Sequence, residues 1–419
     1  MLNQSSGVFT MFFNTQSLGV VALAGLATAV PSRNHLQTRE VGKLPALGWN
    51  GWNQGQCNAA SEKVALATAK TFINLGLKDA GYQYVNIDDC WSTKQRDSKG
   101  NLVPDPAKWP RGIKPVTDEI HAMGLKFGLY GDGGAKTCAG YPGSQGHEQQ
   151  DANLLASWGV DYWKYDNCYT PCNTGNGADI QTCPNNQAPS SRPRYEKMRD
   201  LLRATGRDIL YSLCNWGYDE VWTWGAQVGH MWRMSQDNWG QWADVVRIAN
   251  QAAPILKYTV PGHYNDLDMM ILANGALTPA EERTHFAIWC ITKSPIILGT
   301  DMTKLNSDEV KLITNKGLLA VNQDSLSKPA VPFTPPNTPA KGSSEIYPYW
   351  SGPISTGTVV AIVASKGNLN TQLNLKDVPG LKDMEYSWTE LLTGAKGKGK
   401  TVSANLQTHD VAVFRIDHN

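Results

Sequence analysis

The sequence lacks an excess of charge of either sign, because 38 lysine and arginine residues are balanced by 37 aspartate and glutamate residues along its 419 positions. Nucleic-acid affinity depends on concentrated basic side chains, so this balance excludes a nucleic-acid-binding protein. Hydrophobic residues make up 41% of the chain, enough for a large core, which excludes intrinsic disorder. Single cores stop growing beyond about 250–300 residues, so we expect two domains.

Motifs for common cofactors are also missing. No GxGxxG phosphate loop follows the first predicted strand, and the eight histidines show neither HExxH nor HxH spacing. The eight cysteines are too widely spaced for a compact zinc cluster. We therefore expect no cofactor and no resident metal, although clustered aspartates could still bind a divalent ion through oxygen alone.

The first 32 residues contain no charged side chain. Within them, residues 18–29 form an apolar run that ends in the small-x-small pattern of a cleavage site, and this run is shorter than the ~20 apolar residues of a membrane span. We interpret residues 1–29 as a secretory signal peptide without the usual basic start; a buried N-terminal helix is the alternative. The mature protein is then expected outside the cell, with no membrane anchor and with several cysteines paired.

Short β-rich runs alternate with longer amphipathic stretches from about residue 47 to residue 298. Eight such alternations in ~250 residues predict an α/β fold, a (β/α)8 TIM barrel, which we place at residues 30–325. A doubly wound open sheet is the alternative, which the missing GxGxxG loop disfavours. The predicted strands are 47–49, 82–89, 125–132, 160–166, 209–214, 231–237, 258–268 and 295–298. The predicted helical stretches include 61–75, 116–123, 149–157, 195–203 and 279–291.

The composition changes after the barrel. Five prolines fall within eleven residues, so we interpret residues 326–344 as a stiff linker or an ordered crossover. Beyond them, short β-rich runs are separated by Gly, Asn and Asp turns, which predicts a small antiparallel β-sandwich over residues 345–419. These runs are 358–364, 371–375, 386–390 and 410–416.

Carboxylates recur where the predicted barrel strands end. In a (β/α)8 barrel these ends surround the active site, so the groups should meet there. An isolated aspartate at a strand end is most often a helix N-cap or a turn former, but repetition on five strands favours a functional cluster. The cluster consists of Asp88, Asp89, Asp132, Asp166, Asp237, Asp266 and Asp268.

Two carboxylates with hydrogen-bonding partners and tryptophan platforms suit the cleavage of a glycosidic bond. One must be ionised, to attack or to activate water, and the other must hold a proton for the leaving oxygen. Lys164 shares a strand face with Asp166, so we expect it to lower the pKa of Asp166, as suits a nucleophile. Asp237 follows Arg233 by four residues, and we expect partial burial near Trp239 to raise its pKa, as an acid requires.

Several separated segments together resemble the α-galactosidases of glycoside hydrolase family 27. They run in family order from about residue 46 to the end of the barrel, which is about two thirds of the chain. The predicted C-terminal sandwich matches the family only by its position after the barrel. The segments are LGWNGWN (47–53), NIDDCW (86–91), GLY (128–130), TCAGYPGS (137–144), KYDNC (164–168), WR (232–233) with Asp237, NDLDM (265–269), SP (294–295) and AVNQD (320–324).

The resemblance implies a retaining exo-α-galactosidase, which removes terminal α-D-galactosyl residues from oligosaccharides and galactomannan by double displacement. The resemblance implies that Asp166 is the nucleophile and Asp237 the acid/base. It further implies that the sugar is bound by Trp52, Asp88, Asp89, Lys164 and Arg233. Of these, Asp88 and Asp89 match the pair that binds the 4- and 6-hydroxyls of galactose. It also implies the disulfides Cys57–Cys90 and Cys138–Cys168, the latter lining the pocket. Proximity suggests Cys172–Cys183, which leaves Cys214 and Cys290 free.

Four alternatives remain open. Related β-L-arabinopyranosidases typically carry Glu in place of the second Asp of the pair, so Asp89 favours galactose. Related α-N-acetylgalactosaminidases open space beside the 2-position; Trp216 would block an acetamide here, although Asn215 departs from the Glu of many relatives. The remaining alternatives, from other functional classes, are a non-catalytic galactose-binding protein and a metal-dependent barrel enzyme.

Overall fold

The computed structural model describes residues 41–170 and 190–418. The predicted signal peptide at residues 1–29 and the predicted Cys172–Cys183 pair lie outside this part of the chain. Within it, none of the helices has both the length and the apolar character needed to cross a bilayer.

Eight parallel strands form the sheet of the first domain. They are β1 (Leu47–Asn50), β2 (Tyr84–Asn86), β3 (Lys126–Asp132), β4 (Tyr162–Asp166), β5 (Leu210–Leu213), β6 (Met231–Arg233), β7 (Tyr264–Asp266) and β8 (Ile296–Leu298). The sheet order is β7-β6-β5-β4-β3-β2-β1-β8. Just after β7, Met270 bridges in parallel to Leu298 and its N–H donates to the Ile297 carbonyl at 2.8 Å, which brings the two ends of the sheet together. The predicted (β/α)8 barrel is therefore confirmed.

Helices connect and cover these strands. They are α1 (Trp52–Gly55), α2 (Glu62–Asn74), α3 (Ile113–Ala122), α4 (Glu148–Trp158), α5 (Arg192–Ala204), α6 (Gly225–Val228), α7 (Trp242–Ala252), α8 (Pro279–Ile291), α9 (Ser307–Ile313) and α10 (Lys316–Asn322). Helix α8 begins where it was predicted, because Thr278 and Glu281 form a capping box and Pro279 lies at the first turn.

The second domain is antiparallel, which confirms the predicted sandwich. Its strands are β9 (Val331–Pro332), β10 (Tyr349–Ile354), β11 (Gly357–Val363), β12 (Leu369–Asn374), β13 (Tyr386–Glu390), β14 (Lys396–Gly399), β15 (Thr401–Leu406) and β16 (Val411–Asp417). A six-stranded sheet, β14-β13-β16-β11-β10-β9, packs against the pair β12-β15. Val359 and Ala361 of β11 join the barrel core, while Val360 and Ile362 join the core of the sandwich. This two-sided burial explains the unbroken apolar run of β11.

The proline-rich segment contributes an edge strand to this sheet. Within residues 326–344, β9 pairs with β10, Pro332 opposite Trp350 and Val331 opposite Ser351. Proline is tolerated at a sheet edge because its missing N–H interrupts no inner ladder. Residues 331–332 of the proline-rich segment are therefore part of the six-stranded sheet.

Helix α8 makes several polar contacts with the second domain. Arg283 donates two hydrogen bonds to Asp410, at 2.8 and 2.9 Å, and Glu281 pairs with His409 at 2.7 Å. The ring of Trp242 stacks on His409 with 4.4 Å between centroids. A cavity of about 760 Å³ lies along this interface, and none of the predicted site residues lines it.

His285 on α8 is fully buried, and neither ring nitrogen makes a well-formed hydrogen bond. Burial lowers the pKa of His285 to about 3, opposed only by the backbone of Ile271. Below pH ~6.5 the imidazole of His285 is protonated in the unfolded chain but stays neutral in the folded protein. The free energy of unfolding should therefore fall as the pH is lowered from 6.5 to 3, by up to about 1.4 kcal/mol per pH unit. His285→Phe should remove this loss, about 2 kcal/mol between pH 7 and 5 in urea titrations; an unchanged pH dependence would contradict the prediction.

Candidate active site

A cavity of about 140 Å³ opens at the C-terminal ends of the barrel strands. Asp88 and Asp89 follow β2, Asp166 ends β4, Arg233 ends β6, and Asp237 lies four residues beyond it. The cavity brings together all nine side chains named from the sequence as catalytic or substrate-binding. They are Trp52, Asp88, Asp89, Cys138, Lys164, Asp166, Trp216, Arg233 and Asp237.

Asp166 is buried at the floor of this cavity. Its Oδ2 accepts a hydrogen bond from the Tyr130 hydroxyl at 2.7 Å, and its Oδ1 accepts the Asn167 N–H at 3.0 Å. Burial raises the pKa of Asp166 to about 6, against the opposing effects of Lys164 and Tyr130. Lys164 does lower the pKa of Asp166, as expected, but desolvation outweighs the nearby cation, so the expected low net pKa is wrong.

Lys164 pairs with Asp88 rather than with Asp166. Its Nζ donates to Asp88 Oδ2 at 2.7 Å, and both side chains are buried. Burial alone would lower the pKa of Lys164, but the neighbouring negative charges, Asp88 first, raise it well above its usual value. Asp88 also accepts from Asn50 Nδ2 at 2.7 Å and from the Asp89 N–H at 2.9 Å. The lysine therefore stays charged and fixes Asp88 in the cavity wall.

Asp89 is held by backbone donors from two loops. Its Oδ1 accepts the Cys90 N–H at 2.7 Å and its Oδ2 accepts the Ala139 N–H at 2.8 Å. Burial raises the pKa of Asp89, and the bond from Ala139 opposes that rise. One wall of the cavity is thus built from the loop that follows β2, held in place by the loop that follows β3.

Two disulfides reinforce these loops. Cys57–Cys90 and Cys138–Cys168 are both present, and they are the pairs that the family resemblance implies. Sγ of Cys138 lies 3.3 Å from Asp166 Oδ2, so the second disulfide lines the cavity. Among the described cysteines, those at 214 and 290 are free and buried.

Arg233 holds Asp237 and Asp268 together. Its Nη2 lies 2.9 Å from Asp237 Oδ1 and 2.8 Å from Asp268 Oδ2. The Asp237 side chain keeps 47% of its exposure, whereas Asp268 is buried. Burial alone would raise the pKa of Asp237, but Arg233 outweighs it and holds the pKa below its usual value. The expected high pKa of Asp237 is therefore wrong.

Two members of the predicted carboxylate cluster do not line the cavity. Asp132 accepts the N–H groups of Gly134 and Cys168, at 2.7 and 3.0 Å, and Asp266 accepts the Asp268 N–H at 2.9 Å. Both are turn formers, the ordinary role of a strand-end aspartate.

One group of metal-type ligands occurs in the described part of the chain: Asp132, Cys138 and Cys168, within 4.8 Å of one another. Their two sulfurs form a disulfide, so the group offers no thiolate and does not fit a metal ion.

Several cavity residues were not named as site residues from the sequence. Asp268 was included in the predicted carboxylate cluster, but no role was assigned to it. Trp239 was noted only as a neighbour of Asp237. Tyr130 precedes Asp132 by two residues at the end of β3, a spacing that could have indicated a shared face. Gln236, in the loop after β6, gave no such signal. The additional residues include Asn53, Tyr130, Cys214, Gln236, Trp239 and Asp268.

Trp216 lines the cavity, whereas Asn215 lies beneath it. Trp216 is 7% exposed and adopts a left-handed backbone, φ 58°. Asn215 is fully buried, and its Nδ2 donates to Ser191 Oγ at 2.6 Å, so it points away from the cavity. Asn215, where this chain departs from the Glu of many relatives, is therefore not part of the cavity lining.

Comparisons with known proteins agree over both domains. A family model described as alpha galactosidase A matches residues 44–324, and one described as the alpha galactosidase C-terminal beta sandwich domain matches residues 344–416. The probable alpha-galactosidase B of Penicillium simplicissimum is 42% identical over 434 residues, which cover 96% of this chain and 98% of that protein.

Solved structures give the same result. Alpha-galactosidase I from Mortierella vinacea matches with a TM-score of 0.79 and 34% identity, over 90% of this chain and 98% of that one. The alpha-galactosidase from Saccharomyces cerevisiae solved with raffinose matches with a TM-score of 0.77 and 30% identity, over the same shares. This chain belongs to the alpha-galactosidases of glycoside hydrolase family 27.

Proposed function

We propose that the protein is a retaining exo-α-galactosidase in which Asp166 is the nucleophile and Asp237 the acid/base. The observation that carries this proposal is one small cavity lined by a buried carboxylate and a half-exposed one. Buried Asp166 suits attack on an enclosed sugar. Asp237 lies where a leaving group can reach solvent, which suits proton transfer to the departing oxygen.

The reaction then has two balanced steps. First, Asp166 attacks the anomeric carbon opposite the leaving oxygen, the glycosidic C–O bond breaks, and Asp237 gives its proton to the leaving oxygen. In the second step Asp237 takes a proton from water, and the water oxygen displaces Asp166 from the anomeric carbon. Two inversions give net retention of the α configuration.

Substrate binding is proposed to adjust the protonation of the pair. Without substrate, Asp166 holds a proton more readily than Asp237. A leaving group over Asp237 removes that carboxyl from water, which favours its neutral form. Positive charge developing at the anomeric carbon favours ionised Asp166. The reactive form is then the one with Asp166 ionised and Asp237 protonated.

Asp88 and Asp89 are proposed to bind the 4- and 6-hydroxyls of galactose. Both carboxylates are buried and fixed by donors, so a sugar without a correctly placed hydroxyl would leave a desolvated acceptor unsatisfied. Trp52, Lys164 and Arg233 complete the proposed sugar contacts. Trp216, inside the lining, would collide with an N-acetyl group at the 2-position, which supports galactose over N-acetylgalactosamine.

Hydrolysis of p-nitrophenyl α-D-galactopyranoside in EDTA tests this function, with NMR of the first sugar released. We expect EDTA-resistant activity and α-galactose as the first product. A galactose-binding protein would release no nitrophenol, and a metal-dependent enzyme would lose activity in EDTA. An N-acetylgalactosaminidase would prefer the N-acetylated analogue.

Replacing Asp89 with glutamate should shift specificity from galactosides towards L-arabinopyranosides. The longer side chain fills the space that the CH2OH group of galactose needs, and L-arabinopyranose lacks that group. The ratio of kcat/KM for the nitrophenyl α-D-galactoside to that for the β-L-arabinopyranoside should fall at least about tenfold, since one misfitting group costs roughly 1–3 kcal/mol. An unchanged ratio would rule out this steric account.

We also propose that the enzyme acts outside the cell on galactosylated oligosaccharides and polysaccharides. Two disulfides among the described residues support an oxidising compartment. Detection of the activity in culture medium, with a mature N-terminus beyond residue 29, would test this location.

A further inference from the structure

The active-site cavity meets a second, more open cavity at Asp237. The outer cavity has a volume of about 470 Å³. Gln236, Asp237 and Trp239 line both spaces, and Tyr218, Asp244 and Arg247 complete the outer one. The acid/base of the proposed mechanism therefore stands between a small inner space and a larger outer one. In an exo-acting enzyme the leaving group must lie on the outer side.

Trp239 presents an exposed ring at this junction. It is 60% exposed, the largest value among the exposed large hydrophobic side chains described. An isolated exposed apolar residue needs no explanation, but this ring lies beside the group that protonates the leaving oxygen. Its position makes it the natural contact for whatever is attached to galactose.

The backbone around Trp239 is fixed on both sides. Asp244 of α7 accepts the Trp239 N–H at 3.1 Å, and Arg247 of α7 donates to the Asp237 carbonyl at 2.7 Å. Between them, Asn238 is buried, and its Nδ2 donates to the Met269 carbonyl at 3.0 Å. A ring on such a fixed segment binds a ligand with little loss of backbone freedom.

We propose that Trp239 forms the first leaving-group subsite and stacks against the sugar unit to which galactose is joined. This inference rests on the proposed function, because Asp237 places the leaving oxygen. An indole face matches the C–H face of a pyranose. Around it, Gln236, Asp244 and Arg247 supply the amide, carboxylate and guanidinium groups that ring hydroxyls bind. This mixture fits a saccharide better than an alkyl chain.

The test compares a substrate with a sugar leaving group, melibiose, against α-D-galactosyl fluoride, whose leaving group reaches no subsite. Trp239→Ala should lower kcat/KM for melibiose at least about tenfold, the loss expected for a tryptophan contact, and change that for the fluoride less than about twofold. Trp239→Phe, which keeps a smaller ring, should give an intermediate ratio. Ile73→Ala, at another exposed apolar residue on α2, should change neither value.

Fluoride hydrolysis by each variant also reports that its galactose site is folded. Equal losses on both substrates, or no loss on melibiose, would overturn the subsite. Failure of the unaltered enzyme to hydrolyse either substrate would instead overturn the proposed function, and the subsite with it.

Discussion

Replacing Asp166 with alanine should lower the rate of galactoside hydrolysis by at least about a thousandfold and leave the fold intact. Without this carboxylate no glycosyl–enzyme bond can form, and the remaining donor, Tyr130, cannot replace a nucleophile. The barrel should tolerate the change, because it removes a desolvated carboxyl rather than a core side chain. Nitrophenol release and the thermal unfolding midpoint measure the two effects separately.

Azide should partly restore the activity of Asp166→Ala. A small anion can occupy the space of the lost carboxylate and attack the anomeric carbon from the same face, so the product should be β-galactosyl azide. The α-azide, or residual activity above about one part in a thousand without azide, would contradict the assignment.

Asp266→Asn is the matched control. Asp266 is also a buried aspartate that ends a barrel strand, but it accepts the Asp268 N–H and does not line the cavity. Its replacement should leave hydrolysis within about tenfold of the original rate, because the amide oxygen can still accept that bond. Azide should have no effect on this variant.

The barrel could be predicted from the sequence because its signals are local. Alternating strand and helix patterns located all eight strands, and the amphipathic pattern of residues 279–291 located helix α8. The strand Lys396–Gly399 carries no such signal: it contains only lysine and glycine, and it exists because it pairs with β13 at the edge of the sheet. Pairing of this kind depends on tertiary structure, which a local pattern does not contain.

The positions of the site residues were more predictable than their charges. The rule that barrel strands end at the active site brought Asp88, Asp166 and Asp237 together correctly. Their pKa values depend on burial as well as on the cation that lies nearest in space: Lys164 pairs with Asp88, and Arg233 is shared by Asp237 and Asp268. Burial outweighs the lowering effect of Lys164 on Asp166, and Arg233 outweighs the raising effect of burial on Asp237, so both net pKa shifts are opposite to those expected.

Asp237→Ala should have an effect that depends on the leaving group. Loss of the proton donor should lower the glycosylation rate by about a hundredfold or more for melibiose, whose leaving oxygen needs a proton, because general acid catalysis contributes about 10²–10⁴. α-D-Galactosyl fluoride needs little protonation, so its glycosylation should change much less. Azide, which needs no general base, should accelerate turnover of the enzyme intermediate and give α-galactosyl azide. Equal losses for both substrates would move the acid role to another carboxyl, with buried Asp268 the next candidate.

The pH dependence of kcat/KM should change shape in the same variant. In the unaltered enzyme, Asp166 and Asp237 together hold one proton in the reactive form. The pKa of Asp166 is raised to about 6 and that of Asp237 is lowered, so the pair loses this proton near pH 6. Activity on melibiose should therefore fall as the pH rises above about 6, when no proton is left for the leaving oxygen. In Asp237→Ala only an ionised Asp166 is needed, so activity on the fluoride should rise with pH and then stay level. A falling limb retained in the variant would show that the lost proton belongs to another group.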